Sequence, residues 1–404
     1  MQLKNKIAKC RISGKCYRQG GFTLVELLVA IGIIGVMTGM VLFSLAGART
    51  DVQVSQTRHT IEKINAVILE EWEKYRYRAA RIDIDQEVLR PNRNLGGQPP
   101  LSPREGARMR MIVLRDLMRM EMPDRWTDIL YPPTAYEAAL NTTNVNVPDI
   151  AFYAGNSLAN ASVGPGARNV PGKLNIFRSQ VNLPTFASPY VGGVAASPPL
   201  SSLSSEVIEN QGAELLYMIV ANANYSGGSA LETFNPSEIG DTDEDGLPEF
   251  LDAWGNPIRW IRWPSGFASP LNLPYNPNLN TGNADAMDPL RADWRWSSNR
   301  WQTAAGTPAK PWLLVPLVVS AGPDEVFDIA FDQAQGIAYA THQWSAGGVY
   351  SADNAYYFPD PYIGSFDSNG IYTGLGLGSA IDTDGDGSFE GTADNISNYN
   401  LILE

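Results

Sequence analysis

The sequence predicts an α+β fold, in which a long N-terminal helix packs on a C-terminal antiparallel sheet with helical and loop insertions. Three observations predict it. Residues 22–47 form an apolar run with one charge, Glu26. The chain then continues from Ala48 to Arg90 without Pro or Gly, with apolar residues at helical spacing. Beyond about residue 222 the character becomes β, with strands read at Ile258–Trp263 and Trp312–Ser320.

Composition narrows the function classes. The 404 residues carry a net charge of −13, which argues against a sequence-independent nucleic-acid binder, since that needs a basic surface. With two Cys and two His, neither a disulfide scaffold nor a Cys/His zinc site is expected.

The N-terminus is organised differently from the rest. Residues 1–21 contain Lys4, Lys6, Lys9, Arg11, Lys15 and Arg18 and no acid. The 26-residue apolar run that follows exceeds the length of about 20 needed to cross a bilayer. Basic residues before such a span keep that end in the cytoplasm, so the bulk of the chain is expected outside. A secretory signal peptide has a shorter apolar core with its small-residue site after it, whereas here Gly20-Gly21 stands before it. Glu26 is the anomaly. A carboxylate inside a span is costly and calls for a partner.

The segment Gly21-Phe22-Thr23-Leu24-Val25-Glu26 resembles the type III signal of type IV pilins and type II secretion pseudopilins. The resemblance implies that a prepilin peptidase cuts after Gly21 and methylates the new N-terminal Phe22. It also implies that Glu26, the fifth mature residue, meets the Phe22 amine of a neighbouring subunit during assembly. Phe43 stands where many pilins have a helix-kinking Pro, and Gly35 where the family usually has Gly. Gly32, Gly35 and Gly39 share one helical face, where small residues would allow close helix contact. Gly is also common in such spans.

The fold expected is therefore pilin-like: residues 1–21 a leader, 22–47 the transmembrane and assembly helix, 48–81 its amphipathic continuation, and 82–404 an extracytoplasmic head. Ile61, Ile64, Ile68, Trp72 and Tyr75 mark the buried stripe of that continuation. A helix from Arg108 to Met122 follows, with Met111, Leu114, Met118 and Met122 on one face and Pro123 ending it. Residues 141–204 read as long loops with short strands, and Ser205 to Asn222 as a third helix. Strands are expected at Ile258–Trp263 and Trp312–Ser320. Eight of the ten Trp lie between Trp254 and Trp344, a set that reads as core and turn packing rather than a glycan surface.

Two acidic loops suggest a metal. Asp241, Asp243, Asp245, Glu249 and Asp252 occupy positions 1, 3, 5, 9 and 12 of a twelve-residue loop with Gly246 at position 6. Alternate carboxylates at this spacing coil round a hard cation, so Ca2+ is expected. Asp382, Asp384, Asp386 and Glu390 form a second such loop, with Asp394 just past its end. A solvated acidic turn is the plainer alternative for each.

Three C-terminal segments resemble the major pseudopilin of type II secretion: Asp252-Ala-Trp254-Gly255-Asn256-Pro257, Ser320-Ala-Gly322-Pro-Asp324, and Asp394-Asn395-Ile396-Ser-Asn398-Tyr399. That resemblance implies Ser320, Asp324 and Asp394 as possible calcium ligands. The insertions resemble the enlarged pseudopilin-like proteins of planctomycetes.

The expected function is a structural subunit of a type II secretion or type IV pilus-like system, anchored in the inner membrane with its head outside. Its expected partners are the prepilin peptidase, other pilin or pseudopilin subunits, the assembly platform, membrane lipid and a secreted cargo, and no nucleic acid. The alternative is a membrane-anchored, calcium-dependent module that contacts cargo or glycan. An enzyme is not expected. His342 is the one head histidine, no nucleophile elbow accompanies it, and Gly374-Leu-Gly376-Leu-Gly378 lacks a full dinucleotide pattern.

Overall fold

The computed structural model describes residues 23–79, 103–130, 172–181, 190–191, 194–195, 205–297, 302–303, 305–306, 308–331, 341–343, 357–359, 361–362, 371–372, 376–381 and 394–403. The chain divides into two compact units, Met1–Val52 and Gln53–Glu404.

The described part of the first unit belongs almost wholly to helix α1 (Leu24–Tyr77). From Leu24 to Leu45 its large apolar side chains are more than half exposed. A Cβ built on Gly32, Gly35 or Gly39 would meet nothing within 4 Å. Among the described residues this is the one helix long and apolar enough to cross a membrane.

In the second unit α1 becomes a core element. Ile61, Ile64, Ile68, Trp72 and Tyr75 are all buried, as their spacing predicts. The helix ends at Tyr77, where the Tyr75 hydroxyl donates to Glu121 at 2.6 Å and Arg78 pairs with the same carboxylate. The expected end, Arg81, lies outside the described residues. Helix α2 (Pro103–Glu121) begins before the expected Arg108. Pro103 explains this, because its fixed φ suits a first helical position and its missing N–H is not needed there. Met111, Leu114, Met118 and Met122 are buried as expected.

Helix α3 (Trp126–Leu130) and helix α4 (Gly172–Gln180) follow. The second corrects the reading of 141–204 as loops and strands: Leu174 and Phe177, three residues apart, anchor a short helix in the core. Strands β1 (Tyr190–Val191) and β2 (Val194–Ala195) pair in that stretch as well. Helix α5 (Ser205–Ala221) matches its expected position, and Leu215, Leu216 and Ile219 are buried. Hairpins β3–β4 (Asn224–Tyr225, Gly228–Ser229) and β5–β6 (Ile239–Gly240, Glu249–Phe250) come next.

The central sheet has three antiparallel strands. β7 (Arg259–Ile261) lies on one side of β9 (Leu317–Ser320), and β13 (Ile396–Ser397) lies on the other. Both sequence-predicted strands are shorter than expected. β7 stops at Ile261 because the Arg262 N–H donates to Asp124 at 3.1 Å, and Pro316, which offers no N–H, stops the β9 ladder short of Trp312. Trp312 instead bridges Ala284, and its indole N–H donates to Asn272 at 2.8 Å. Further elements are helix α6 (Trp294–Ser297), the parallel pair β8 (Gln302–Thr303) and β12 (Ile371–Tyr372), the antiparallel pair β10–β11 (Thr341–Gln343, Tyr357–Pro359), helix α7 (Asn398–Leu403) and short 3-10 turns at Ala230–Thr233, Pro236–Glu238 and Gly322–Asp324. The fold is thus an α+β mix of one long helix and small, mostly antiparallel sheets.

Side chains of the C-terminal motifs dock the sheet on the helix. Asn398 donates to Asn65 of α1 at 2.8 Å and to the Pro316 carbonyl at 2.9 Å, and accepts from the Val318 N–H. At the Trp254-Gly255 turn, the Ala253 N–H donates to Thr57, and Gln53 donates back to the Ala253 carbonyl.

Buried ion pairs fill the space between α2, α3 and β7. Arg262 donates to Asp128 at 2.9 Å and to the Met122 carbonyl at 2.7 Å, and contacts Asp124 at 3.1 Å. Arg119 donates to the other Asp128 oxygen at 2.9 Å. Such charges are tolerable inside only because each is met by an opposite charge with hydrogen bonds. Arg115 likewise lies between Asp285 and Asp293.

Candidate functional site

The acidic loop 241–248 is the turn of the β5–β6 hairpin. Gly240 faces Glu249 across the ladder, which brings both ends of the loop together. Glu244 and Gly246 take positive φ, +59° and +93°, and curl the loop inward. A Cβ on Gly246 would meet nothing within 4 Å, so the backbone angle, not space, calls for glycine there.

Backbone N–H groups orient the carboxylates. Asp241 accepts from Gly246 at 3.0 Å, Asp245 from Leu247 at 2.7 Å and Glu249 from Thr242 at 3.0 Å. Asn210 of α5 donates to Asp243 at 3.3 Å and accepts from Arg259 of β7 at 3.2 Å. Asp241, Asp243 and Glu249 present carboxylate oxygens within 4.8 Å of one another.

A residue not foreseen in the sequence completes the cluster. Glu214 of α5 lies with Asp243 and Asp245, again with oxygens within 4.8 Å. Its placement follows from packing: α5 crosses β6 and β7, and Gly212 lets it sit so close that a Cβ there would be 3.3 Å from the Trp260 carbonyl. Glu214 is fully buried, and neither of its oxygens has a hydrogen-bond partner. Burial, and then the charges of Asp245, Asp243, Glu249 and Asp241, push its carboxyl up to about 9. Burial pushes Glu249 up to about 7, against the Thr242 hydrogen bond. The sequence signal for Glu214 was one acid in the otherwise apolar run Ala213 to Val220.

Asp252 does not join the cluster. One of its oxygens accepts from the N–H groups of Trp254 and Asn256, both at 2.9 Å, and the other from Ser320 at 2.7 Å. The Ser320 hydroxyl also accepts from the Gly322 N–H at 3.1 Å. Asp324 and Asp394 do come together. Burial first, then the Asp324 charge, raises the Asp394 carboxyl above its ordinary value. Asp382, Asp384, Asp386 and Glu390 lie outside the described residues, as do Gly21 and Phe22.

Glu26 is described. The Thr23 N–H and hydroxyl both donate to its carboxylate at 2.9 Å, and its own N–H donates to the Thr23 hydroxyl at 3.2 Å. This reciprocal capping box starts α1.

Residues 16–42 match the model of the prokaryotic N-terminal methylation motif. The chain carries a prepilin-type signal. The motif implies processing by a peptidase and assembly with other pilin-type subunits, and it suggests a structural rather than an enzymatic role. The exposed apolar helix fits a membrane-anchored protein of that type. Neither the curated proteins nor the solved structures include a match to this chain.

Proposed function

We propose that this chain is a pseudopilin-like structural subunit of a type II secretion or type IV pilus-like system. The observation that supports this reading best is the methylation motif running directly into an apolar helix with no packing partner among the described residues. In this reading the peptidase cuts after Gly21 and methylates Phe22. The helix rests in the inner membrane, with the leader side in the cytoplasm, until an assembly platform adds it to neighbouring subunits. Glu26 then pairs with the neighbour's Phe22 amine, which offsets the cost of a buried charge. A head of more than 300 residues would crowd a filament body, which favours a minor or tip subunit.

The test is the mass of the membrane-extracted protein. Wild type is expected to lack residues 1–21 and to carry a methyl group, and Gly21→Ala is expected to keep its leader. A wild-type mass that still includes residues 1–21 would overturn the reading.

A further inference from the structure

We propose that the β5–β6 loop and Glu214 of α5 form one Ca2+ site, in which Glu214 is the ligand that the loop's own twelfth residue does not supply. Two independent observations carry this. The first is the loop itself, whose Asp241, Asp243 and Glu249 converge with oxygens inside 4.8 Å. Ca2+ holds oxygens at about 2.3–2.6 Å, so ligands on opposite sides of one ion stand about 5 Å apart, and the cluster has that span. The second is Glu214. It arrives from a different element, is fully buried, reaches Asp243 and Asp245, and leaves both oxygens without a hydrogen-bond partner. The inner oxygen Oε1 of Glu249 is buried and without a partner too.

Buried carboxylate oxygens normally find donors, and two such groups turned toward three further carboxylates are costly unless a cation sits between them. In a twelve-residue calcium loop the last position closes the coordination with a carboxylate. Here Asp252 holds that position, yet its oxygens are taken by Ser320, Trp254 and Asn256. Glu214 fills the gap from the side of the helix. The donor set is all oxygen, with no His or Cys, which selects a hard cation. Five carboxylates favour Ca2+ over Mg2+, which keeps several waters and rarely takes a site built from protein alone. Bound there, the ion would join α5 to the hairpin and replace repulsion by attraction.

The experiment uses the full chain in detergent, with Ca2+ followed by calorimetric titration and by thermal melting. Wild type is expected to bind one Ca2+ at this site with a Kd below about 1 mM and to melt higher with the ion bound. Glu214→Gln keeps the side-chain shape and removes the carboxylate that would ligate the ion. It is expected to melt no lower than wild type in chelator, and to bind Ca2+ at least about tenfold more weakly. Asp243→Asn, which alters the residue shared by both halves of the cluster, is expected to lose binding as well. Glu209→Gln, on the exposed side of α5, is expected to bind as wild type. If 382–394 also binds, a second event should survive Glu214→Gln unchanged. Wild-type affinity in Glu214→Gln, no binding by wild type, or Mg2+ bound as tightly as Ca2+ would each overturn the proposal.

Discussion

The Ser320 hydroxyl donates to Asp252 at 2.7 Å and so ties the centre of the sheet to the Trp254-Gly255 turn. The same hydroxyl accepts from the Gly322 N–H at 3.1 Å. Two motifs separated by more than sixty residues therefore share one hydrogen-bond chain. Asp252 is a structural acceptor at this junction. Asp252→Ala should strip partners from Ser320 and from two backbone N–H groups, at a cost of about 2–4 kcal/mol. Chemical denaturation measures the loss. Calcium affinity at the β5–β6 loop should stay within about twofold of wild type, because no ligand is removed.

Gly322→Ala should be among the most damaging single substitutions in the head. Its φ is +80°, and a Cβ would stand 2.4 Å from the Asp394 carbonyl oxygen. The backbone angle alone costs about 1–3 kcal/mol, and the clash is with backbone that has little room to move. Thermal melting should show the loss, and an unchanged midpoint would contradict the close approach.

Asp128 predicts an acid limit to stability. Burial opposes its charge, but Arg262, Arg119 and Arg125 outweigh burial and hold its pKa down at about 2. A carboxyl lowered on folding stabilises the native state above its ordinary value near 4, and that contribution disappears as pH falls through about 2. The expected loss over this window is about 2 kcal/mol. Asp128→Asn should remove this part of the acid dependence and destabilise the head at neutral pH, leaving Arg119 and Arg262 short of a counter-charge. Denaturation midpoints at pH 2, 4 and 7 would separate the two effects.

Ile68→Ala tests whether the second half of α1 is a core element. Ile68 is fully buried, so the substitution should cost about 2–5 kcal/mol. The equivalent change at Ile33, more than half exposed, should leave the melting midpoint of the detergent-solubilised protein unchanged.

What the sequence made legible is mostly local. The stripe Ile61 to Tyr75 and the methionine face of α2 are periodic, and both are buried where expected. The acidic loop is a contiguous pattern, and four of its five carboxylates gather as their spacing implies. Two further features are local as well. Thr23 and Glu26 stand three apart at a helix start, and Leu174 and Phe177 share a helical face. The rest depends on distance. Glu214 joins the loop only because α5 crosses β6 and β7. Arg262 meets Asp124 and Asp128 from well over a hundred positions away. Nothing in a residue's neighbours along the chain announces such a meeting. A charge inside an apolar run is the trace it leaves.

Within the proposed assembly, the capping box at Thr23 and Glu26 has a kinetic consequence. In the lone subunit the carboxylate is already spoken for, by a hydroxyl and an N–H one turn away. Recruitment by a neighbour's amine would then be an exchange of partners rather than the rescue of an orphan charge. A subunit waiting its turn could rest without urgency, and the rate of joining would be set partly by how readily Thr23 lets go. Thr23→Val, which deletes the hydroxyl and keeps the shape, would loosen that hold and hasten the handover.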